Sequence, residues 1–239
     1  MSTPELVQRS SIGTNTEHGR DTDLKTASTT TTTEISSDNE GSSISSCEEH
    51  KDTFASAEPW LVASPYLEPE HQLDLSMLDH QNQLLAIALV HLTSATSSYA
   101  TTTYSVALNW PTVFSELKQL SLQYNHNWTE AEFYVVEFRS KLKPRIDNEL
   151  LFKLDKESHR EATASGGLLK YWFGEPDNER RNLATCLWRS KADAVAGGKG
   201  PWHKRARDVT SKMYESIEVR GLRLTIEDEV DSWRFERWD

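Results

Sequence analysis

The sequence predicts an α+β fold built on an antiparallel sheet in the order β-α-β-β-α-β. Three observations carry that prediction. Residues 132–140, EFYVVEFRS, alternate cleanly: Phe133, Val135, Glu137 and Arg139 share one side, while Tyr134, Val136, Phe138 and Ser140 share the other. Residues 168–174 and 182–190 are two further strand-like runs. They flank the polar turn Glu175-Pro176-Asp177-Asn178-Glu179-Arg180-Arg181, which makes them a hairpin. Helical patterns lie on either side of that hairpin, and a last strand follows. This is the ferredoxin-like split βαβ plan, with both helices on one face of the sheet.

Taken in order, residues 1–57 hold 22 Ser or Thr and 10 acidic residues against 4 basic ones. Such a segment cannot bury enough apolar surface to offset its ordering entropy and is expected to be a disordered, acidic tail. Residues 58–239 are expected to fold as one domain, with 58–131 an N-terminal extension and 132–239 the ferredoxin-like core. Pro59, Pro65 and Pro69 mark an extended lead-in. From about Asp74 to Thr93, Leu78, Leu85, Leu89 and Leu92 recur at helical spacing. Residues 101–110, TTTYSVALNW, are β-branched and aromatic and read as a strand that Pro111 stops. Val113, Leu117, Leu120 and Tyr124 form the stripe of another helix.

Within the core, Asp147 can cap a helix running to about Ala164, with Leu150, Leu151, Leu154 and Ala162 on its buried side. Asp155 and His159 stand four residues apart there and can pair. Gly166-Gly167 ends that helix. Residues 191–217 are helical around the break Gly197-Gly198-Lys199-Gly200-Pro201, with Trp202, Ala206, Val209, Met213 and Ile217 as the stripe beyond it. Residues 222–227 and 233–238 are the closing strands. Trp172, Trp188 and Arg223 cannot all lie on the helix side, so the second sheet face needs a cover. The economical cover is a second copy of the sheet, giving a homodimer with a barrel-like interior. The extension before Glu132 is the alternative cover, within one chain.

Net charge of −11 and an isoelectric point near 5.2 argue against a nucleic-acid partner, which needs a clustered basic face. The cluster His203-Lys204-Arg205-Ala206-Arg207 reads as a solvated helix face. Two cysteines, Cys47 and Cys186, build neither a disulfide framework nor a metal site. No apolar run is long enough to span a bilayer, and no secretory h-region follows Met1. A reducing, cytoplasmic or nucleocytoplasmic location is expected, and the sequon Asn127-Trp128-Thr129 is then chance.

Glu137 and Arg139 are the first candidate site. Two charges on a strand face otherwise apolar are costly unless paired. On a cavity wall Arg139 can anchor a carboxylate or enolate and Glu137 can act as a base; otherwise they are an ion pair. Tyr134, Tyr171, Trp172 and Trp188 can wall an apolar ligand pocket, or serve as core, and Asn109 can approach the same cavity. Gly197-Gly198-Lys199-Gly200 invites a phosphate reading but lacks the phosphate-loop pattern and follows a helix.

EFYVVEFRS, GGLLKYWFG, NLATCLWRS and Trp202-His203 resemble an uncharacterised family of fungal proteins over roughly residues 72–239. The strand, Trp-x-Ser, helix, His layout also resembles the antibiotic-biosynthesis monooxygenase group of the dimeric α/β-barrel superfamily. That second resemblance implies oxygenation, cyclisation or isomerisation of aromatic and polyketide-like compounds. It also implies a role for His203, since haem-degrading members bind iron through a His on the second helix. The chain departs from those members in having no Asn in EFYVVEFRS and a Gly-rich break before His203. The resulting expectation is a small-molecule enzyme or binding protein, with haem through His203 as a variant. The competing expectation is a non-catalytic dimeric interaction module with a phosphorylatable tail.

Overall fold

A computed structural model describes residues 59–238. The segment expected to be a disordered tail lies outside the described residues. Two short strands, β1 (Trp60–Leu61) and β2 (Leu73–Asp74), pair antiparallel. Three helices follow: α1 (His80–Ala88), α2 (Tyr104–Ala107) and α3 (Trp110–Gln123). Then come β3 (Ala131–Leu142), α4 (Asn148–Ala164), β4 (Leu168–Phe173) and β5 (Arg181–Trp188). The chain closes with α5 (Lys191–Gly197), α6 (Pro201–Met213), β6 (Tyr214–Ile226) and β7 (Trp233–Arg237).

The sheet runs β4-β5-β3-β6-β7, with every neighbouring pair antiparallel. Its first four strands, with α4 and α5–α6 as crossovers, have the ferredoxin-like topology, and β7 adds one edge strand. Local chemistry sets the boundaries. Asp79 caps α1 through the Asn82 amide, and Asp147 caps α4 through the Leu150 amide at 2.9 Å. Ser190 caps α5, and Gly166, at φ +87°, supplies the left-handed turn that ends the α4 segment.

Alternation along β3 works as the sequence predicts. Tyr134 and Val136 join Tyr171, Trp188 and Cys186 beneath the layer of α4, α5 and α6. Phe133 and Val135 point the other way, into one core with Leu183, Leu187, Leu224, the α1 leucines Leu84 and Leu85, and Trp110 and Phe114 of α3. Each such side chain contributes roughly 1.5–3 kcal/mol by leaving water. The chain's own extension therefore covers the second sheet face. That surface is occupied, so the sheet-on-sheet arrangement with a second copy has no place there. Trp172 packs on this extension side and Trp188 on the helix side.

Several local expectations are corrected. Residues 101–110 form no strand: Tyr104 and Ala107, three apart, are buried as one helical turn. The Thr101 and Thr102 hydroxyls bond the Ser98 carbonyl at 3.2 and 2.9 Å, a local alternative to a ladder. Pro111 then opens α3 instead of stopping a strand. Asp155 and His159 do not pair with each other; each is held by residues of the lead-in. The last helix ends at Met213 and β6 starts at Tyr214, not Leu222, because ladder partners on β3 reach Leu142. Ile217 is thus an exposed strand residue, and Leu150, in the first turn of α4, is exposed as well.

Candidate ligand-binding site

Beyond Val135 the extension side of β3 changes from apolar to charged. Glu137 pairs across the sheet with Thr185 on β5 and Arg220 on β6, and Arg139 pairs with Leu183 and Glu218. Glu137 is only 2% exposed. Its Oε1 accepts from Arg139 Nε at 2.7 Å, and its Oε2 faces Arg220 Nη1 at 3.7 Å. Arg139 spends its other donors on the extension. Nη1 donates to the Tyr99 and Ala100 carbonyls at 3.0 and 2.8 Å, and Nη2 donates to Thr102 at 2.6 Å. Four of the five guanidinium N–H groups are therefore engaged. Arg139 clasps the extension to the sheet, which is the ion-pair reading enlarged, and it is poorly placed to anchor a ligand.

The clasp forms the floor of an open groove of about 570 Å³ between residues 100–105 and the sheet. Leu222 and Phe235 supply its apolar wall, and Arg220, Glu236 and Arg237 its charged one. Tyr104 lies at the base, its hydroxyl 2.8 Å from Thr185 Oγ1, which donates to the Val136 carbonyl at 3.1 Å. Burial pushes the Tyr104 phenol up. It is a hydrogen-bonding group here, not a phenolate.

The structure does not bring all the candidates together. His203 sits in the first turn of α6, in the helix layer on the other side of the sheet. Its Nδ1 is 2.9 Å from Glu161 Oε2, and Glu161 also accepts the Trp202 and His203 amides at 2.7 and 3.1 Å. Burial raises the Glu161 pKa, but these bonds outweigh it and hold the carboxyl below its usual range. The pair caps a helix. It lies across the sheet from the groove, so the groove lining offers haem no imidazole. Tyr134, Tyr171 and Trp188 are also on the helix side, leaving only Trp172 on the groove side. Asn109 is used within the extension, accepting the Thr93 amide at 2.8 Å and donating to the His91 carbonyl at 3.0 Å. Lys199 lies in the exposed link between α5 and α6. Among the described residues there is no group of three or more His, Cys, Asp or Glu placed to hold a metal, and no helix long and apolar enough to cross a membrane.

A second polar cluster lies under the lead-in. Asp155 accepts from the Tyr66 hydroxyl and, at 2.5 Å, from the Tyr171 hydroxyl. Burial raises the Asp155 pKa against these two bonds. The Nδ1 atoms of His71 and His159 are 2.9 Å apart, and burial lowers both histidines, His159 to about 3. Only the pairing potential of Asp155 and His159 on α4 was readable; their lead-in partners Tyr66 and His71 lie 89 and 88 residues earlier, and the further partner of Asp155, Tyr171, lies 16 residues later on β4. Sequence reading also missed Arg220 and Arg237, whose strand alternation was the available signal.

Fold and groove together define a class: a ferredoxin-like α+β protein whose second sheet face is covered by its own N-terminal extension. The chain belongs to the PB2B2.08-like family, whose model matches residues 62–237. It is 34% identical over 183 residues to UPF0643 protein PB2B2.08 of Schizosaccharomyces pombe, spanning 74% of this chain and 83% of that one. Neither description names an activity. Among solved structures it is similar to Rv0793 of Mycobacterium tuberculosis, at 18% identity and TM-score 0.34, covering 38% of this chain and 92% of that one. It is also similar to the "Putative antibiotic biosynthesis monooxygenase" of Nitrosomonas europaea, at 14% identity and TM-score 0.32, covering 37% and 86%.

Proposed function

We propose that this protein binds a small organic molecule in the groove between residues 100–105 and the sheet. Residues 58–239 are the folding unit that carries the groove, in the reducing cytoplasm. The observation behind this reading is the buried Glu137, held between Arg139 and Arg220 at the floor of an opening that has both an apolar and a charged wall. Openings of this size take drug-sized ligands, oriented by a few polar groups. Glu137 is the residue positioned to exchange a proton with a bound ligand, as enolisation, cyclisation or isomerisation would require. Those reaction classes also fit the antibiotic-biosynthesis monooxygenase resemblance.

The test is a thermal-shift screen of the full chain against small aromatic and aliphatic compounds, since a ligand for the folded state raises its stability by mass action. Ser105 is exposed on the groove wall, so Ser105→Trp fills the opening without touching the core. Hits whose shift disappears in Ser105→Trp support the reading. If every hit survives that substitution, ligands bind elsewhere and the reading fails.

One observation favours the interaction-module alternative. Residues 214–220 of β6 pair with β3 on one side, while β7 pairs only with residues 222–226 on the other. That open half-edge exposes Ile217 and Val219. Homodimerisation through it would appear as a concentration-dependent mass in sedimentation that Val219→Lys abolishes.

A further inference from the structure

We infer that the groove selects a ligand carrying a carboxylate, held by Arg237 with Arg220 beside it. This rests on the groove reading above and assigns the chemical class of its ligand.

Strand pairing places the two arginines. Arg237 pairs with Leu222 across β6 and β7. Phe235 and Arg237, two apart on β7, share the groove face with Arg220, Leu222 and Leu224 on β6. Arg237 is therefore the diagonal cross-strand neighbour of Arg220, at roughly 7–8 Å, within reach of one anion for such long side chains.

The two differ in how much of their charge is used. Arg220 Nε and Nη2 both donate to Glu218 at 2.6 Å, and its Nη1 is left toward Glu137 and the groove. The Arg237 guanidinium donates no hydrogen bond and forms no ion pair within 4 Å among the described residues, its backbone pairing with Leu222 in the ladder. Its neighbour Glu236 is bridged to Arg234 at 3.2 Å. Arg139, the arginine that the strand pattern singles out, has spent its donors on Glu137 and three carbonyls. Arg237 lies within electrostatic reach of Glu218, and Glu236 also lines the groove, but its guanidinium keeps a planar donor fork with no hydrogen-bonded partner among the described residues, beside an apolar wall of Leu222 and Phe235. A guanidinium in that position matches a carboxylate bidentately. The complementary molecule has a flat or aliphatic body on Leu222 and Phe235 and a carboxylate at the Arg237 end.

The experiment titrates the full ¹⁵N-labelled chain with two matched probes, 1-naphthoate and 1-naphthamide, at low salt. The expected result is naphthoate binding about tenfold tighter than naphthamide, with shifts at Leu222 and Phe235. In Arg237→Gln the preference collapses to near unity while naphthamide affinity and thermal stability stay unchanged. Arg237→Lys keeps part of the preference, as a point charge without the fork would. Equal binding of the two probes, indifferent to Arg237→Gln, overturns the carboxylate inference and leaves the groove reading standing. No shift at Leu222 or Phe235 with either probe also overturns it, and the Ser105→Trp screen then decides the groove reading separately.

Discussion

Arg139→Met is the most informative single substitution. It removes the cation from an ion pair whose side chains are 3% exposed at Glu137 and 16% exposed at Arg139. Breaking a buried ion pair from one side costs about 3–5 kcal/mol, because the remaining charge stays buried. Here Arg220 Nη1 stands 3.7 Å from Glu137 and takes up part of the loss, which favours the lower end. The three carbonyls that lose their donor lie on a segment with exposed residues, where water can replace it. The expected cost is therefore about 3 kcal/mol, or roughly 6–12 °C in the midpoint at 2–4 °C per kcal/mol for a domain of this size. Urea unfolding followed by tryptophan fluorescence reads it as a shifted midpoint at unchanged slope. Glu137→Leu/Arg139→Met removes both charges and should be less destabilised than Arg139→Met alone. A cost below about 1 kcal/mol for Arg139→Met, or a double variant as unstable as the sum of its parts, would refute the clasp.

Two further outcomes follow from buried titratable groups. Lys170 is buried on β4, and burial alone lowers its pKa to about 8. The unfolded chain then binds more protons between about 8 and the ordinary lysine value, so this residue's contribution makes stability rise with pH across that window. Lys170→Met should stabilise the fold at pH 7 by about 1–3 kcal/mol and flatten the dependence, checked by urea melts at pH 7 and pH 9.5. His71 and His159 are both held below the ordinary histidine value by burial, His159 to about 3. A lowered folded pKa gives stability that is present above the unfolded value and lost on acidification. Unfolding free energy should fall as the pH drops from about 6.5 toward about 3, and His159→Phe should blunt that decline across the window.

What the sequence made legible was local. The β3 faces could be read because period-two alternation is intrinsic to a strand, and Asp147 and Gly166 could be read because caps act within three or four residues. The hairpin followed from its polar turn. Residues 101–110 were misread because their strand propensity is real, yet no sheet edge receives them, and Tyr104 is worth more buried against Thr185. The cover of the second face was undecidable from alternation, which shows that a face is buried but not what buries it. The same limit applies to the site. Glu137 and Arg139 were legible as charges on an apolar strand, while the use of Arg139 to hold the extension depends on carbonyls 37 to 40 residues away. Tyr66 and His71 carry no local signal at all; their roles exist only because the lead-in crosses α4.

The position of the groove follows from the length of its cover. The extension buries β3 through Glu137, and the next residue on that face, Arg139, stands where the cover starts to give way to solvent. A chain that needed only a lid would do as well with apolar residues at both positions, since exchanging a buried ion pair for well-packed hydrophobes is often neutral or stabilising. The clasp on the extension carbonyls is one use of the pair, and the binding role proposed above gives it a second. Arg139 fixes one lip of the opening through the Tyr99, Ala100 and Thr102 carbonyls, and in doing so leaves Arg220 and Arg237 to face whatever enters. The doubly apolar variant separates the two demands. Glu137→Leu/Arg139→Met should keep its unfolding midpoint within a few degrees of the parent while losing the ligand-induced thermal shift. A variant that keeps both its fold and its ligand would reduce Glu137 and Arg139 to packing.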